Sequence, residues 1–334
     1  MNNSFSVYEV VKLDGKYQSV ARMIGKDELN RRIVDLVDRD LRLFEPAYKI
    51  SNLIIREGAF LFKLYRFRAV VFKDTCLFFH PIEKVKITAI IEKMNMMEIE
   101  VKRRGGIVNK SLSFENRLLE IILMIIHGDF SFECRGLLYR MDEIFRKVDS
   151  FGTRVQVHQQ FAKIRHDLNS FNFVVKEVMN VIEETMKNEE DMAEMCLSSG
   201  IDNKEKKDDD ELSERIEEME LIFENYFRHY QQVEHEITGA MRELDGRQKQ
   251  IGVELAYERN VLALFDTQMN VITCGLSFGT FVASIFGMNL RNEWENSNNM
   301  FIGMIVLSVG LVIGMPFVFW KKFEKMVPKE AFSS

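Results

Sequence analysis

Asp266, Asn270, Thr273, Ser277, Thr280, Ser284 and Gly287 recur at alternating steps of four and three residues. On a helix that spacing gathers their carboxylate, amide and hydroxyl oxygens into one stripe. Arg259 and Ala263 extend the stripe towards the N-terminus. The other faces carry Val271, Ile272, Leu276, Phe278, Phe281, Val282, Ile285 and Phe286. Polar side chains at membrane depth face a bundle interior or a water-filled path. One helix cannot enclose a path, so several copies of the chain must do so. The chemistry open to such a stripe is therefore ion solvation rather than bond making. The plainer alternative is that Ser and Thr merely glue helices together; it suits Thr273, Ser277 and Thr280, and suits Asp266 and Asn270 less well.

Signs of catalysis are missing. The sequence has no Walker A loop, no dinucleotide-binding glycine fingerprint and no GxSxG elbow, so no enzyme is expected. Its six histidines form no HExxH pair and read as surface or core residues. Cys76, Cys134, Cys196 and Cys274 lie far apart with no CxxC pair, which argues against a disulfide scaffold or a four-cysteine zinc site. Lys plus Arg is 45 against 51 for Asp plus Glu, a net charge of −6, and a nucleic-acid binder would show a basic excess instead.

The stripe lies in one of two uncharged apolar windows, 267–289 and 300–320, each longer than the roughly 20 residues that span a hydrocarbon core. Residues 290–299 make a short link, so the windows form an antiparallel transmembrane hairpin. Lys321, Lys322, Lys325 and Lys329 follow the second window, whereas the link has one base, Arg291, and two acids, Glu293 and Glu295. The positive-inside rule then puts both termini in the inner compartment. Two charge-free windows closed by lysines are hard to hide in a soluble core.

Ahead of the hairpin, Leu212, Ile216, Met219, Phe223, Tyr226, Tyr230, Val233, Ile237, Ala240 and Leu244 keep the same four-three rhythm. This heptad seam predicts a coiled coil or bundle. It serves either a stalk that meets its symmetry mates or a long helix packed within one subunit. One helix over 211–288 would run about 117 Å at about 1.5 Å per residue. Only four prolines occur, at 46, 81, 316 and 328, which favours long helices between 82 and 315. The division expected is an α/β head at 1–110, a helical part at 111–210 and a stalk at 211–266. The first span (267–289), the outer loop (290–299), the second span (300–320) and a basic inner tail (321–334) follow.

Within the head, VYEVVKL, SVARMI, AFLFKLY, AVVF and CLFF read as strands. Asp27–Leu36 reads as a helix with Asp27 as its N-cap, and Pro81–Met97 as another. Arg103 to Gly106 reads as a turn. Helical spacing runs from Phe114 to Leu197, and the charged stretch Ser198–Asp210 reads as a loop between antiparallel helices. The first 25 residues lack the apolar core of a secretory signal and the Arg-rich, acid-poor character of a transit peptide.

Phe286-Gly287-Met288-Asn289 closes the first window just before the link. It resembles the GMN signature of the CorA superfamily of magnesium channels, in the position that signature takes there. Arg39-Asp40-Leu41-Arg42 with Glu45-Pro46, Phe114 to Glu120, Glu190 to Met195 and Glu218 to Phe227 resemble segments of its eukaryotic mitochondrial branch, in family order. The resemblance implies an α+β inner domain with long helices, then a two-span hairpin, assembled as a funnel-shaped CorA-like homopentamer in a lipid bilayer. It implies passive, potential-driven, selective conduction of Mg²⁺ through a pore lined by the first span. Asn289 is then the outer selectivity ring, Gly287 lets the backbone approach, and Met288 packs the turn. On the residues themselves, Glu293 and Glu295 would attract cations at the mouth and Asp266 would form an acidic ring deeper in. A ring of Arg259 would repel Mg²⁺, and three roles are open to it: binding an anion, pairing with Glu258, or acting as an electrostatic brake.

The same resemblance makes Mg²⁺ the expected transported ion, and no organic cofactor or nucleic acid is expected. Glu189, Glu190, Asp191, Asp208, Asp209 and Asp210 are candidates for a regulatory inner Mg²⁺ site, a solvated charge run being the plainer reading. The branch points to the mitochondrial inner membrane, while the lack of a recognisable presequence leaves a plasma or other membrane open. The alternatives are the same fold carrying Co²⁺, Ni²⁺ or Zn²⁺, or a membrane-anchored coiled-coil tether with no transport role.

Overall fold

The computed structural model describes residues 4–45, 47–80, 82–103, 113–148, 154–198, 209–288 and 298–326. The chain separates into two units, 1–245 and 246–334, with the boundary inside one helix.

The first unit opens with a six-stranded sheet: β1 (Ser4–Leu13), β2 (Lys16–Gly25), β3 (Asn52–Arg56), β4 (Ala59–Leu64), β5 (Phe67–Val71) and β6 (Thr75–Phe79). Every pairing is antiparallel and the order is β2-β1-β6-β5-β4-β3. Asp14-Gly15 joins β1 to β2 as a two-residue turn, with φ of 49° and 76°. That left-handed pair matches strand twist and fixes the ten-residue register from Ser4↔Gly25 to Leu13↔Lys16. β4 and β5 are buried along their whole length, which explains their near-continuous apolar runs. One sheet face packs Val7, Ala59, Leu61, Val70, Leu77 and Phe79 against α1 (Lys26–Arg32) and a 3₁₀ turn at Asp40–Phe44.

That 3₁₀ turn contains the Arg39–Arg42 segment. Asp40 is 1% exposed. Its Oδ2 accepts from Arg56 Nε at 2.9 Å, from Arg56 Nη2 at 2.8 Å and from the Val37 amide at 3.2 Å. A buried carboxylate must be paired in this way or cost several kcal/mol, so the motif clamps β3 to the turn while Leu41 and Phe44 fill the core.

Five helices complete this unit or leave it: α2 (Lys84–Arg103), α3 (Phe114–Val148), α4 (Arg154–Met186), α5 (Glu189–Met195) and α6 (Asp209–Phe286). Glu115, fully buried, accepts from the Ser198 amide (2.9 Å) and hydroxyl (2.8 Å), tying the start of α3 to the end of α5. The heptad seam of α6 is used within one chain. Met219, Phe223, Tyr226, Tyr230, Val233, Ile237, Ala240 and Leu244 are all buried. Tyr230 donates its hydroxyl to the Leu123 carbonyl at 2.8 Å and meets Phe130 edge-on, while Glu234 pairs with Lys176 at 3.3 Å. Over these residues the seam belongs to helix packing inside the subunit on α3 and α4, the second of the two uses open to it.

Several boundaries differ from the sequence reading, each for a visible reason. β3, a half-buried edge strand, shows no polar–apolar alternation, and its short apolar run Leu53-Ile54-Ile55 is not among the strands read from the sequence. α1 begins at Lys26 and ends at Arg32, and Asp27 lies inside its first turn rather than capping it. Ile33 leaves the helix in an extended conformation that buries its side chain. α2 starts at Lys84 and runs past Met97 to Arg103. The helical spacing read over 114–197 resolves into three helices, α3, α4 and α5. α6 already begins at Asp209, inside the stretch read as a loop. The Gly105-Gly106 turn lies outside the described residues.

The second unit is the C-terminal part of α6 together with α7 (Asn298–Met326). Both helices are long and apolar enough to cross a membrane, and their apolar windows are almost entirely exposed. The expected spans 267–289 and 300–320 fall largely within α6 and within α7 respectively.

Candidate cation path

Two helices form this site, and one packing decision orients it. Among the described side chains of α6 beyond Gly252, Leu264, Gln268, Val271, Gly275, Gly279 and Val282 are the buried or half-buried positions. They recur at steps of four and three, and at Gly275 and Gly279 this face meets α7. Gly275 and Gly279 sit a helical turn apart, the small-xxx-small pattern that lets membrane helices approach closely. A Cβ on Gly279 would lie 2.5 Å from Val312 Cγ2. One on Gly275 would lie 3.1 Å from the Pro316 ring and 3.3 Å from the Val312 carbonyl. Pro316 lacks an N–H and so frees that carbonyl from its usual helical partner. Glycine at 275 lets the α6 backbone cover it.

The stripe lies roughly 180° around α6 from this contact, at 3.6 residues per turn. Arg259, Ala263, Asp266, Asn270, Thr273, Ser277, Thr280 and Ser284 are all exposed. The hydroxyls do not dangle. Thr273 donates to Met269 O, Ser277 to Thr273 O and Thr280 to Leu276 O, each at 2.8 Å. Asn270 Nδ2 donates to Asp266 Oδ2 at 3.3 Å. A hydroxyl that gives its proton to its own backbone keeps oxygen lone pairs facing outward. The stripe is therefore a row of acceptors, suited to the O–H groups of water around a cation. At its edge, Asn270 also lines a crevice of about 250 Å³ with Thr267, Val271, Cys274 and Phe319. Beside the stripe, Phe265, Met269, Ile272, Leu276 and Phe281 are exposed apolar groups.

Helical bonding persists to the end of the window, where the Gly287 amide donates to Ala283 O at 3.0 Å. Met288 is exposed. Asn289, Glu293 and Glu295 lie outside the described residues, as does Asp208. Asp209 and Asp210 open α6, and their side chains are likewise outside the description. Glu189, Glu190 and Asp191 form the first turn of α5 behind the cap Asn188, whose side chain accepts from the Glu190 amide. Acidic groups there complement the helix dipole. Among the described residues no cluster of three His, Cys, Asp or Glu is placed to hold a metal ion. The sequence reading missed Gly275 and Gly279, although their four-residue spacing in an apolar window was visible.

Comparison with known proteins decides the family. The family model for "Magnesium transporter MRS2-like" matches residues 9–259, three quarters of the chain. The chain belongs to the MRS2-like magnesium transporter family. That is a family of transporters, not enzymes, and it bears out the resemblance to the mitochondrial branch of the CorA superfamily. The match covers the head and α6 as far as Arg259, so the helices beyond it are read from their own geometry.

Three curated relatives share the printed name "Mitochondrial inner membrane magnesium transporter MRS2". The protein from Debaryomyces hansenii is 23% identical over 321 residues, covering 94% of this chain and 65% of its own length. That from Candida albicans is 26% identical, with 87% and 60% covered. That from Yarrowia lipolytica is 25% identical, with 97% and 76% covered. This MRS2-like chain thus spans under two thirds of the length of the first two. Among solved structures, the full-length CmaX protein aligns with 96% of this chain and 98% of its own at 11% identity, with a TM-score of 0.44, too low a likeness to carry an argument.

Proposed function

We propose that copies of this chain assemble as a homopentamer in the mitochondrial inner membrane, with the acceptor stripe of α6 facing a shared aqueous path for Mg²⁺. One observation carries the reading: α7 covers the glycine face of α6 and leaves the oxygen-bearing face, opposite it, open. Family membership and the relatives' names support magnesium as the cargo.

Mg²⁺ sheds its waters reluctantly. Oxygens that accept from water, spaced one helical turn apart, can pass a hydrated ion from ring to ring without stripping it. Asn289 carbonyls form the outer selectivity ring, with Gly287 and Met288 shaping its backbone and Glu293 and Glu295 raising the local cation concentration. Asp266 supplies a deeper acidic ring, and Arg259, seven residues further in, acts as a brake. The membrane potential supplies about 2.3 kcal/mol per charge per 100 mV, so about 4.6 kcal/mol for a divalent ion, and no nucleotide is required.

The test is Mg²⁺ flux into vesicles holding the purified chain under a set potential. Ser277→Leu, on the stripe, should cut flux at least about tenfold, because a branched side chain displaces the water that carries the ion. Phe278→Leu, on the next face, should leave it within about twofold. Equal effects would refute the stripe as the path. Asn289→Ala should abolish flux with assembly intact. Competition by Co²⁺, Ni²⁺ and Zn²⁺ in the same assay reads selectivity, and absence of flux for every ion would return the chain to a tether.

A further inference from the structure

The core face of the head sheet ends in two cations. On β4, Ala59 and Leu61 pack into the apolar core, and the next residue on that face is Lys63. On β5, Val70 is in the same core, and the next residue on its face is Arg68. The register sets Lys63 directly opposite Arg68. Like charges at such a pair repel, and both are deeply buried, Lys63 at 4% exposed and Arg68 at 8%.

Burial pulls the Lys63 ammonium below its usual range, the Glu177 carboxylate pulls it partly back, and Arg68 adds to the drop. Burial lowers Arg68 as well. Each spends one bond on a loop carbonyl, Lys63 to Lys49 O and Arg68 Nη2 to Tyr48 O at 3.0 Å. Lysine has three donors and arginine five. Arg68 Nε is buried with no partner among the described residues.

The pair borders a cavity of about 330 Å³. Lys49, Arg66 and Lys86 complete a ring of five cations there, with Glu83 as the one carboxylate in the lining. Of the neighbouring acids, Asp129 pairs with Lys86 of this ring, Glu133 accepts from the Tyr65 hydroxyl at 3.2 Å, and Glu177, which also acts on Lys63, accepts from the Ser51 amide, so Lys86 is the ring cation whose charge is already matched. Among the described residues no carboxylate forms an ion pair with Lys49, Arg66 or Arg68. Tyr65, Phe67 and Ile82 supply an apolar side to the same cavity.

A fold that only needed to close this face would end it in apolar residues, which are often the more stable choice over buried charge. We propose that the cavity binds a small, soluble phosphorylated molecule, its phosphate bridging Lys63 and Arg68 and its body lying against Phe67 and Ile82. A phosphate oxygen satisfies the orphaned Arg68 Nε and relieves the repulsion across the strand pair. The volume is at the lower end for small-molecule sites and too small for a macromolecule. The inference stands on the sheet alone and is independent of the transport reading.

The experiment is equilibrium binding of inorganic pyrophosphate and of adenosine monophosphate to the purified full chain, with Mg²⁺ absent so that neither probe is titrated as its magnesium complex. Saturable binding of at least one probe is expected, weakened at least about tenfold in Lys63→Met. Because that variant touches the core, Lys49→Gln with Arg66→Gln, both on exposed side chains, provides a second arm, with an expected weakening of about three- to tenfold. Binding of neither probe, or binding unchanged in both variants, would overturn the proposal. So would attachment to vesicles containing phosphatidic acid without binding of either soluble probe, which would move the chemistry to a lipid headgroup.

Discussion

Replacing Gly279 by Ala should loosen the hairpin that orients the acceptor stripe, and Val312 should decide by how much. The added Cβ would sit 2.5 Å from Val312 Cγ2, against an ordinary carbon–carbon contact of about 3.5–4.0 Å. A gap of about 1–1.5 Å must therefore open. Val312 cannot absorb it cheaply, since a β-branched residue in a helix strongly prefers one χ1 rotamer. Either α6 and α7 separate or the side chain strains, at about 1–3 kcal/mol. Val312→Ala removes the clashing methyl, so the double variant should recover most of the loss. The coupling between the two sites should be about 1–2 kcal/mol. Gly303→Ala is the control, because nothing lies within 4 Å of a Cβ there. The assay is equilibrium unfolding in detergent titrated with dodecyl sulfate, followed by the proximity of labels on α6 and α7. Should Gly279→Ala cost the same with Val312 or Ala at position 312, the two helices do not meet at this point and the orientation of the stripe loses its basis.

Other expectations rest on the head and its supporting helices. Arg56→Met strands the buried Asp40 carboxylate with only the Val37 amide, and should cost about 3 kcal/mol, read as a fall in thermal midpoint. A midpoint within a degree or two of the parent would show that the clamp is ornamental. His127 packs beside His229, with ring centroids 4.9 Å apart. Burial, and then the His229 charge, hold His127 below its ordinary value of 6.5. The unfolded chain therefore takes up this proton first, and stability should decline as pH falls through 6.5 towards the lower folded value. His229→Gln removes the charge contribution, so its thermal midpoint should vary less between pH 7.5 and pH 5.5. An unchanged pH dependence would contradict the assignment.

Some elements were legible because one residue pattern had one physical solution. Two charge-free windows with a lysine stop had to be apolar helices, and they are. The four-three seam over 219–244 had to be buried, and it is. Five of six strands announced themselves through β-branched and aromatic runs. β3 escapes that reading although Ile54 and Ile55 are β-branched, because an apolar run of three without alternation fits a strand or a buried helix segment equally, and only pairing with β4 decides it. Helix ends were less legible than helix middles. Ile33 leaves α1 because burying its side chain outweighs one more turn of helix, and that gain exists only once the sheet is in place.

What the sequence alone determined is local: which residues share a face, which stretches shun water, and where acceptor oxygens line up. Periodicity encodes these, because each follows from a helix's own 3.6-residue turn or a strand's two-residue repeat. What only the tertiary structure decided is which face meets which partner. It placed Gly275 and Gly279 against Val312 and Pro316, which turns Asp266 to Ser284 away from α7. It consumed the seam within one chain, and it set Lys63 across from Arg68. Such pairings join residues tens of positions apart or fix the register between strands, and they arise from shape and charge fitting in three dimensions that no repeat in the chain spells out.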